Sequence, residues 1–261
     1  MARIRLLTYN IAHARGLGLH QTLRTRTRIR HQLLRIAHLI HRLDADVVAL
    51  QEIDENSLWN GSFDHLAYLR DHTGLPHAVH GVNNRLAGRI HLNYGNAVLS
   101  RYPIVHQQNV SFGKRLLGEK GMLFTEVETP AGRLPLVNVH MHHSSRPSRL
   151  RQAEHLMAFL DEQRAARAAH WAAGPIVCGD LNNPSHTPDA TAMLLGYFEQ
   201  FDNYTLIPKG QGGRAQHTFP SFFPRRALDY VYLPSGCQRI EVTVVRSYLS
   251  DHRPVLVEFH L

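Results

Sequence analysis

The chain has 261 residues, of which 43% are hydrophobic and 19% charged. That is enough apolar material to bury a core without staples, and too much for a disordered chain. Lys plus Arg number 29 against 21 Asp plus Glu, a formal net charge of +8, and no run of about 18 apolar residues marks a membrane-spanning helix.

Ile4 to Tyr9 reads as a first strand ending at Asn10. A basic loop follows. A helix is then expected from about Thr22 to Leu43, because Ile29, Leu33, Ile36, Ile40 and Leu43 step by four and three along one face. Arg26, Arg28, Arg30 and Arg35 fall mostly off that face and read as a solvated surface. Val47 to Leu50 is a short continuous apolar run, as in a strand buried on both faces. It ends in Gln51-Glu52. Asn96 to Leu99 is another short strand, closed by Tyr102-Pro103. Met122 to Glu128 and Arg133 to His140 form a hairpin around Pro130-Ala131-Gly132. A second helix is expected from about Ser148 to Ala169. Pro175 to Cys178 is a buried strand that ends in Gly179-Asp180, and Leu228–Leu233, Glu241–Val245 and Val255–Phe259 close the chain as strands. Strands outnumber helices and several meet through hairpin-sized turns, which predicts an α+β sandwich. Nothing marks a boundary, so residues 1–261 are expected to form one domain.

Cys178 and Cys237 are the only cysteines. They are too few for a disulfide framework, and a reducing compartment suits them best. Met1-Ala2-Arg3-Ile4-Arg5 shows no apolar leader, so a cytoplasmic location is expected. Only Lys114, Lys120 and Lys209 are lysines. Arginine matches phosphate with a planar two-pronged donor set, so the expected partner is an anionic phosphoester: nucleic acid or an anionic lipid surface. A generally basic surface would give the same counts. No protein partner is implied. The 20 histidines would make the protein more cationic as pH falls through about 6.5.

One pattern recurs at the strand ends. A buried apolar run finishes and a carboxylate, amide or imidazole stands there: Asn10, Glu52, Asn96, His140, Asp180 with Asn182, Asp229, and Asp251 with His252. Any one of these is an ordinary turn former or cap. Together, at one edge of a sandwich, they would make a polar, metal-competent pocket on rigid supports. Oxygen donors dominate the set, which suits Mg²⁺, or Mn²⁺, better than zinc. His140-Met141-His142-His143 raises zinc as an alternative, but Ser144 and Ser145 follow where a binuclear zinc hydrolase would place an Asp-His pair.

The ordered segments Leu7-Thr8-Tyr9-Asn10, Gln51-Glu52, Gly95 to Ser100, Val137 to His140, Gly179-Asp180-Leu181-Asn182, Leu228 to Val231 and Ser250 to Pro254 resemble the endonuclease/exonuclease/phosphatase superfamily, with its DNase I-like fold. Within it the chain is most similar to small bacterial metal-dependent hydrolases of undefined substrate. The resemblance runs from residue 7 to 259. It implies a four-layer α/β/β/α sandwich with two central mixed, mostly antiparallel sheets, and Mg²⁺-dependent phosphoester hydrolysis. It implies Glu52 as main metal ligand with Asn10 beside it, and Asp251 completing the site or orienting its waters. Asp180 would align and deprotonate the attacking water, and Asn182 would steady it. Asp229 would hold His252 oriented and protonated. His252 and His140 would donate to non-bridging oxygens.

The residues support these roles independently. Diester cleavage needs an activated water, a stabiliser for developing charge and help for the leaving oxygen. A carboxylate beside His252 would raise its pKa, favouring an electrostatic role. His143, Arg146 and Arg149 are candidates to clamp substrate phosphate, with Asn96 as a further contact; a basic loop entering a helix is the equal alternative. Arg225 and Arg226 are weaker candidates. Trp59, Phe63, Tyr68 and the Phe219–Phe223 stretch are expected to pack, and Cys178 to be inert. The leading expectation is a phosphodiesterase. A phosphomonoesterase on the same residues is the alternative, ahead of a non-catalytic basic module for nucleic acid or membrane.

Overall fold

The structure, a computed structural model, describes residues 1–113, 118–184, 188–208 and 213–261; Lys114 and Lys209 lie outside these. In chain order the described strands and helices are β1 (Arg3–Asn10), α1 (Arg26–Arg42), β2 (Val47–Asp54), α2 (His65–Thr73), β3 (His77–Leu86), β4 (Leu92–Ser100) and β5 (Ile104–Ser111). There follow β6 (Gly121–Thr129), β7 (Gly132–His140), α3 (Arg146–Arg167), β8 (Ile176–Asp180), α4 (Ala190–Phe198), β9 (Thr205–Ile207), β10 (Asp229–Leu233), β11 (Gln238–Val244) and β12 (Val255–His260).

The strands form two mixed sheets, ordered β11-β12-β1-β2-β4-β3 and β5-β6-β7-β8-β10-β9. Within each sheet one neighbouring pair is parallel, β1 with β2 and β7 with β8; the other ladders are antiparallel. Side chains alternate across each strand, and that alternation builds the layers. Leu7, Tyr9, Val48 and Leu50 point to one side and pack with Ile29, Leu33 and Ile36 of α1. Ile4, Leu6, Val47 and Ala49 point to the other and meet Leu134, Leu136, Ile176 and Cys178 of the second sheet. Val137, Val139 and Val177 face outward onto Leu156 and Leu160 of α3 and Leu194 of α4. The result is the expected α/β/β/α sandwich.

The helix ends differ from expectation for local reasons. The first helix begins at Arg26, not near Thr22, because Thr25 is its cap: its hydroxyl accepts from the Arg28 amide at 3.3 Å. Residues Gln21–Leu23 form a separate 3₁₀ turn. The other long helix begins earlier than Ser148, with Ser145 as cap and a proline in the first turn, where a missing N–H costs nothing.

Several elements escape the periodicity argument. Strand β3 carries His77, His80, Asn83, Asn84 and Arg85 and is mostly half-buried, so it lacks an apolar run. Strand β5 is mostly polar and exposed. Helices α2 and α4 have nine residues each, too short for a clear stripe. No helix among the described residues is long and apolar enough to cross a membrane.

Candidate active site

Register explains how the predicted residues meet. In the second sheet β7, β8 and β10 are adjacent, and His140 pairs with Asp180, which in turn pairs with Asp229. Three functional side chains thus share one rung. In the first sheet Asn10 pairs with Gln51 on the β1–β2 rung. The loop carrying Asp251 and His252 enters β12, whose start lies beside the end of β1. Asp229 therefore begins a strand that runs antiparallel to β8, whereas His140 and Asp180 end theirs.

Two backbone features aim these groups. A bulge in β2 leaves Glu52 as the extra residue between Gln51 and Ile53, with φ +53°. Such a bulge redirects one side chain while the ladder continues on either side. Gln51 stays between the sheets and donates to Asn138 at 2.7 Å, while Glu52 turns into the cleft. Gly179, at φ +140°, lets β8 approach β7 just before Asp180; a Cβ there would lie 1.9 Å from the Val139 carbonyl.

The cleft has a volume of about 410 Å³ and is lined by Asn10, Glu52, His140, His143, Asp180, Asn182, Asp251 and His252. Arg15, Lys120, Phe219 and Arg226 line it as well. Asp180 is buried in its wall. Its Oδ2 accepts from the Asn10 amide at 3.0 Å and lies 3.5 Å from His140 Nε2 and 3.6 Å from His252 Nε2. Its Oδ1 accepts from the Asn182 backbone amide at 2.9 Å. Asn182, at φ +51°, uses its own side-chain amide on the Met141 carbonyl. Behind His252, Asp229 Oδ2 lies 2.9 Å from Nδ1, and the Phe219 ring packs at 4.9 Å.

The charges follow from burial and neighbours. Burial raises the Asp180 pKa, His252 opposes that, and Asp229 adds to it; the net direction is up. Burial alone would depress His252, but Asp229 and Asp180 outweigh it and raise it. His140 goes the other way: burial and Lys120 push it well below the ordinary histidine value. It is a neutral imidazole, and Lys120 Nζ lies 2.9 Å from its Nε2. Burial would raise Glu52, but Lys120 and then His13 hold it well below the carboxylate range.

Other candidates fall outside the cleft. Asn96 lies mid-strand in β4, buried between the sheets, and donates to the Gly121 and Asn138 carbonyls. The strand extends past it in both directions, so it is a sheet-to-sheet tie and does not line the cleft. Arg146 is exposed at the start of α3 and does not line it either. Arg149 is buried against Asp189. Arg225 lies 4.5 Å over the Phe223 ring. The Phe219–Phe223 stretch splits: Phe219 packs, while Phe222 and Phe223 are exposed. The His140–His143 run also splits, since Met141 is buried and His142 Nδ1 accepts from the Ser144 and Ser145 amides.

Sequence reasoning missed three residues. Lys120 precedes Gly121, which pairs with His140, so register brings its ammonium to Glu52 at 3.4 Å. Arg15, in the basic loop after β1, forms an ion pair with Asp251. His13 lies 3.8 Å from Glu52 and is held by the buried Asp54 at 2.8 Å. Asp54 also accepts from Trp59 at 2.7 Å. Lys120 was legible as one of only three lysines; Arg15 and His13 carried no signal beyond a basic loop. Asp54→Asn should destabilise the fold by about 1–3 kcal/mol, because Asp54 is the acceptor for buried donors. Urea unfolding measures it, and an unchanged midpoint would remove Asp54 from the support of Glu52.

The donor set can be tested for a metal. Glu52 and Asp251 offer carboxylates to the cleft, and Asn10 Oδ1, which accepts from the Ala12 amide, keeps a second lone pair. These hard oxygens fit a small divalent cation such as Mg²⁺. Both carboxylates already draw cations, Lys120 and Arg15, which shows the sign of charge the pocket favours. Asp180, Asp229 and His252 also lie close enough to share an ion. A protonated imidazole is a poor ligand, however, so the raised His252 argues for a hydrogen-bond relay there. Both cysteines are free and buried and neither lines the cleft.

Comparison with known proteins identifies the family and the fold. The model of the endonuclease/exonuclease/phosphatase family matches residues 7–252. The uncharacterized protein YbhP of Escherichia coli (strain K12) is 28% identical over 177 residues, 65% of this chain and 64% of YbhP; the chain thus matches less than two thirds of that relative's length. Among solved structures, an endonuclease/exonuclease/phosphatase from Beutenbergia cavernae superposes with a TM-score of 0.76 at 20% identity, covering all of this chain and 72% of that one. Truncated Caenorhabditis elegans TDP2 gives 0.68 at 17%, covering 99% and 98%. Sphingomyelinase C from Streptomyces griseocarneus gives 0.66 at 21%, covering 100% of both. These likenesses show the fold.

Proposed function

The chain belongs to the endonuclease/exonuclease/phosphatase family, and from that premise we propose that it is a Mg²⁺-dependent phosphodiesterase. The observation that carries this reading is the position of Asp180: a buried carboxylate flanked by two imidazoles, across one cleft from the Glu52 and Asp251 carboxylates. A bound divalent cation would act as a Lewis acid on the phosphate and its leaving oxygen. Glu52, Asp251 and Asn10 would hold it.

The chain's own residues supply the remainder. Asp180 takes a proton from the attacking water, and Asn10 and Asn182 fix the carboxylate's orientation. A raised pKa makes it a stronger base once ionised. His252, cationic and braced by Asp229, donates from Nε2 to a non-bridging oxygen as charge builds. Lys120 and Arg226 add positive charge at the rim of the same space. The bond from the water oxygen to phosphorus forms and the bond to the leaving oxygen breaks; that oxygen takes a proton from solvent, Asp180 gives its own back to solvent, and a monoester and an alcohol result. Arg15 lines both this cleft and a larger groove beyond it. The free, buried cysteines suit the reducing cytoplasm.

The test is hydrolysis of bis(nitrophenyl) phosphate and nitrophenyl phosphate in Mg²⁺ and in EDTA. Diester turnover that EDTA abolishes is expected. Faster turnover of the monoester would replace the reading with a phosphomonoesterase. No turnover of either by the folded protein would remove it.

A further inference from the structure

A cavity of about 650 Å³ lies outside the cleft, along the first long helix, α1. A second, of about 570 Å³, continues it. Arg35 and Tyr248 line both, and Arg15 joins the first to the cleft. A stripe on α1 lines them: Arg28, His31, Arg35, His38 and Arg42. These step by three and four, so they share one helix face, and at 1.5 Å per residue they extend over about 21 Å. All five are exposed. No acidic residue lines either cavity. Among the described residues Arg28, Arg35 and Arg42 pair with no carboxylate, unlike Arg5, Arg101 or Arg167. The other helix arginines, Arg26 and Arg30, lie on a different flank over the Phe63 ring.

We propose that this groove binds a single nucleic-acid strand and leads it through Arg15 into the cleft. The inference rests on the phosphodiesterase reading for its chemistry, though not for the binding itself. A folded chain leaves cations unpaired along a groove at some cost in mutual repulsion, which a polyanion relieves. The regular spacing of the stripe suits a polymer with evenly repeated phosphates; a lone headgroup would fill one cavity and leave the other. Arginine forks hold phosphates with directed hydrogen bonds. Tyr248, 44% exposed, lines both cavities; Arg246 lies 5.9 Å over its ring, so the two side chains add a further cation beside an aromatic ring that a base can stack against.

The experiment measures anisotropy of a fluorescein-labelled single-stranded oligonucleotide with the full chain in EDTA. Arg28→Glu/Arg35→Glu/Arg42→Glu is compared with a two-site control, Arg26→Glu/Arg30→Glu, on the other flank. Bis(nitrophenyl) phosphate turnover in Mg²⁺ is followed on the same proteins. The stripe variant is expected to bind at least about tenfold more weakly. Its slope of log affinity against log salt should flatten by about 2, at roughly 0.7 per lost phosphate contact. The control should bind like wild type. Equal loss in both variants, or none in the stripe variant, overturns the groove. So does stripe-dependent binding to phosphatidylglycerol vesicles with the oligonucleotide unaffected. The two readings fail separately: diester turnover without oligonucleotide binding removes only the groove, and stripe-dependent binding without turnover supports the groove and removes only the phosphodiesterase.

Discussion

Replacing Asp180 with Asn should lower kcat for bis(nitrophenyl) phosphate by about 10²–10⁴-fold, the range that a positioned base contributes, with the far-UV circular dichroism unchanged. Asp180 accepts from Asn10 on one oxygen and from Asn182 on the other; the amide keeps the shape and one of these acceptors and removes the proton-accepting power. The wild-type profile carries a second signature. Burial raises Asp180 above an ordinary carboxylate, and only the ionised form takes a proton from water. The acid limb should therefore lie above about pH 4, where a solvated Asp would place it. The same shift has a cost in stability. The folded state holds this proton more tightly than the unfolded chain, so the group's contribution is largest below the unfolded value and falls as pH rises through the raised one. D180N should flatten that fall in a urea series. Retention of more than about a tenth of wild-type kcat would take Asp180 out of proton transfer.

Much of this site was legible because its residues stand where apolar runs stop. Val47–Leu50, Val137–Val139 and Ile176–Cys178 are buried strands, and hydrophobic patterning finds them without knowledge of their partners. Their register then puts His140, Asp180 and Asp229 on one rung. What patterning could not show was direction. Asn96 reads like the others, yet it lies in the middle of β4 and faces the opposite sheet. Glu52 reaches the cleft only through a one-residue bulge, a feature without a sequence period. Charge pairing was equally hidden. Arg149 looked like a phosphate clamp in a basic loop, but Asp189, forty residues on, takes its guanidinium. Lys120 and Arg15 meet Glu52 and Asp251 only because separate loops close over one edge of the sandwich. Polar β3 and β5 were missed because half-exposed strands owe their place to ladder hydrogen bonds, which side-chain chemistry does not encode.

Asp229 tests the relay without touching substrate. Its carboxylate lies 2.9 Å from His252 Nδ1 and does not line the cleft. It opposes the effect of burial on His252 and also raises Asp180. Asp229→Asn should thus lower both pKa values. Both limbs of the pH–rate profile should move to lower pH, the alkaline one because His252 loses its proton sooner. Turnover near pH 8 should drop by about 10²-fold, comparable to losing a donor to a developing oxyanion. Stability follows with a definite sign. His252 has a raised pKa when folded, so its contribution is complete below about pH 6.5 and is lost as pH rises through the folded value. Urea midpoints of wild type should therefore decline on the alkaline side, and D229N should show a shallower decline from a lower start. His252→Gln gives the reference: it removes the alkaline limb and the alkaline loss of stability together. If D229N left the alkaline limb in place, His252 would owe its charge to Asp180 and Asp251, and the relay would reduce to the direct pair with Asp180 at 3.6 Å.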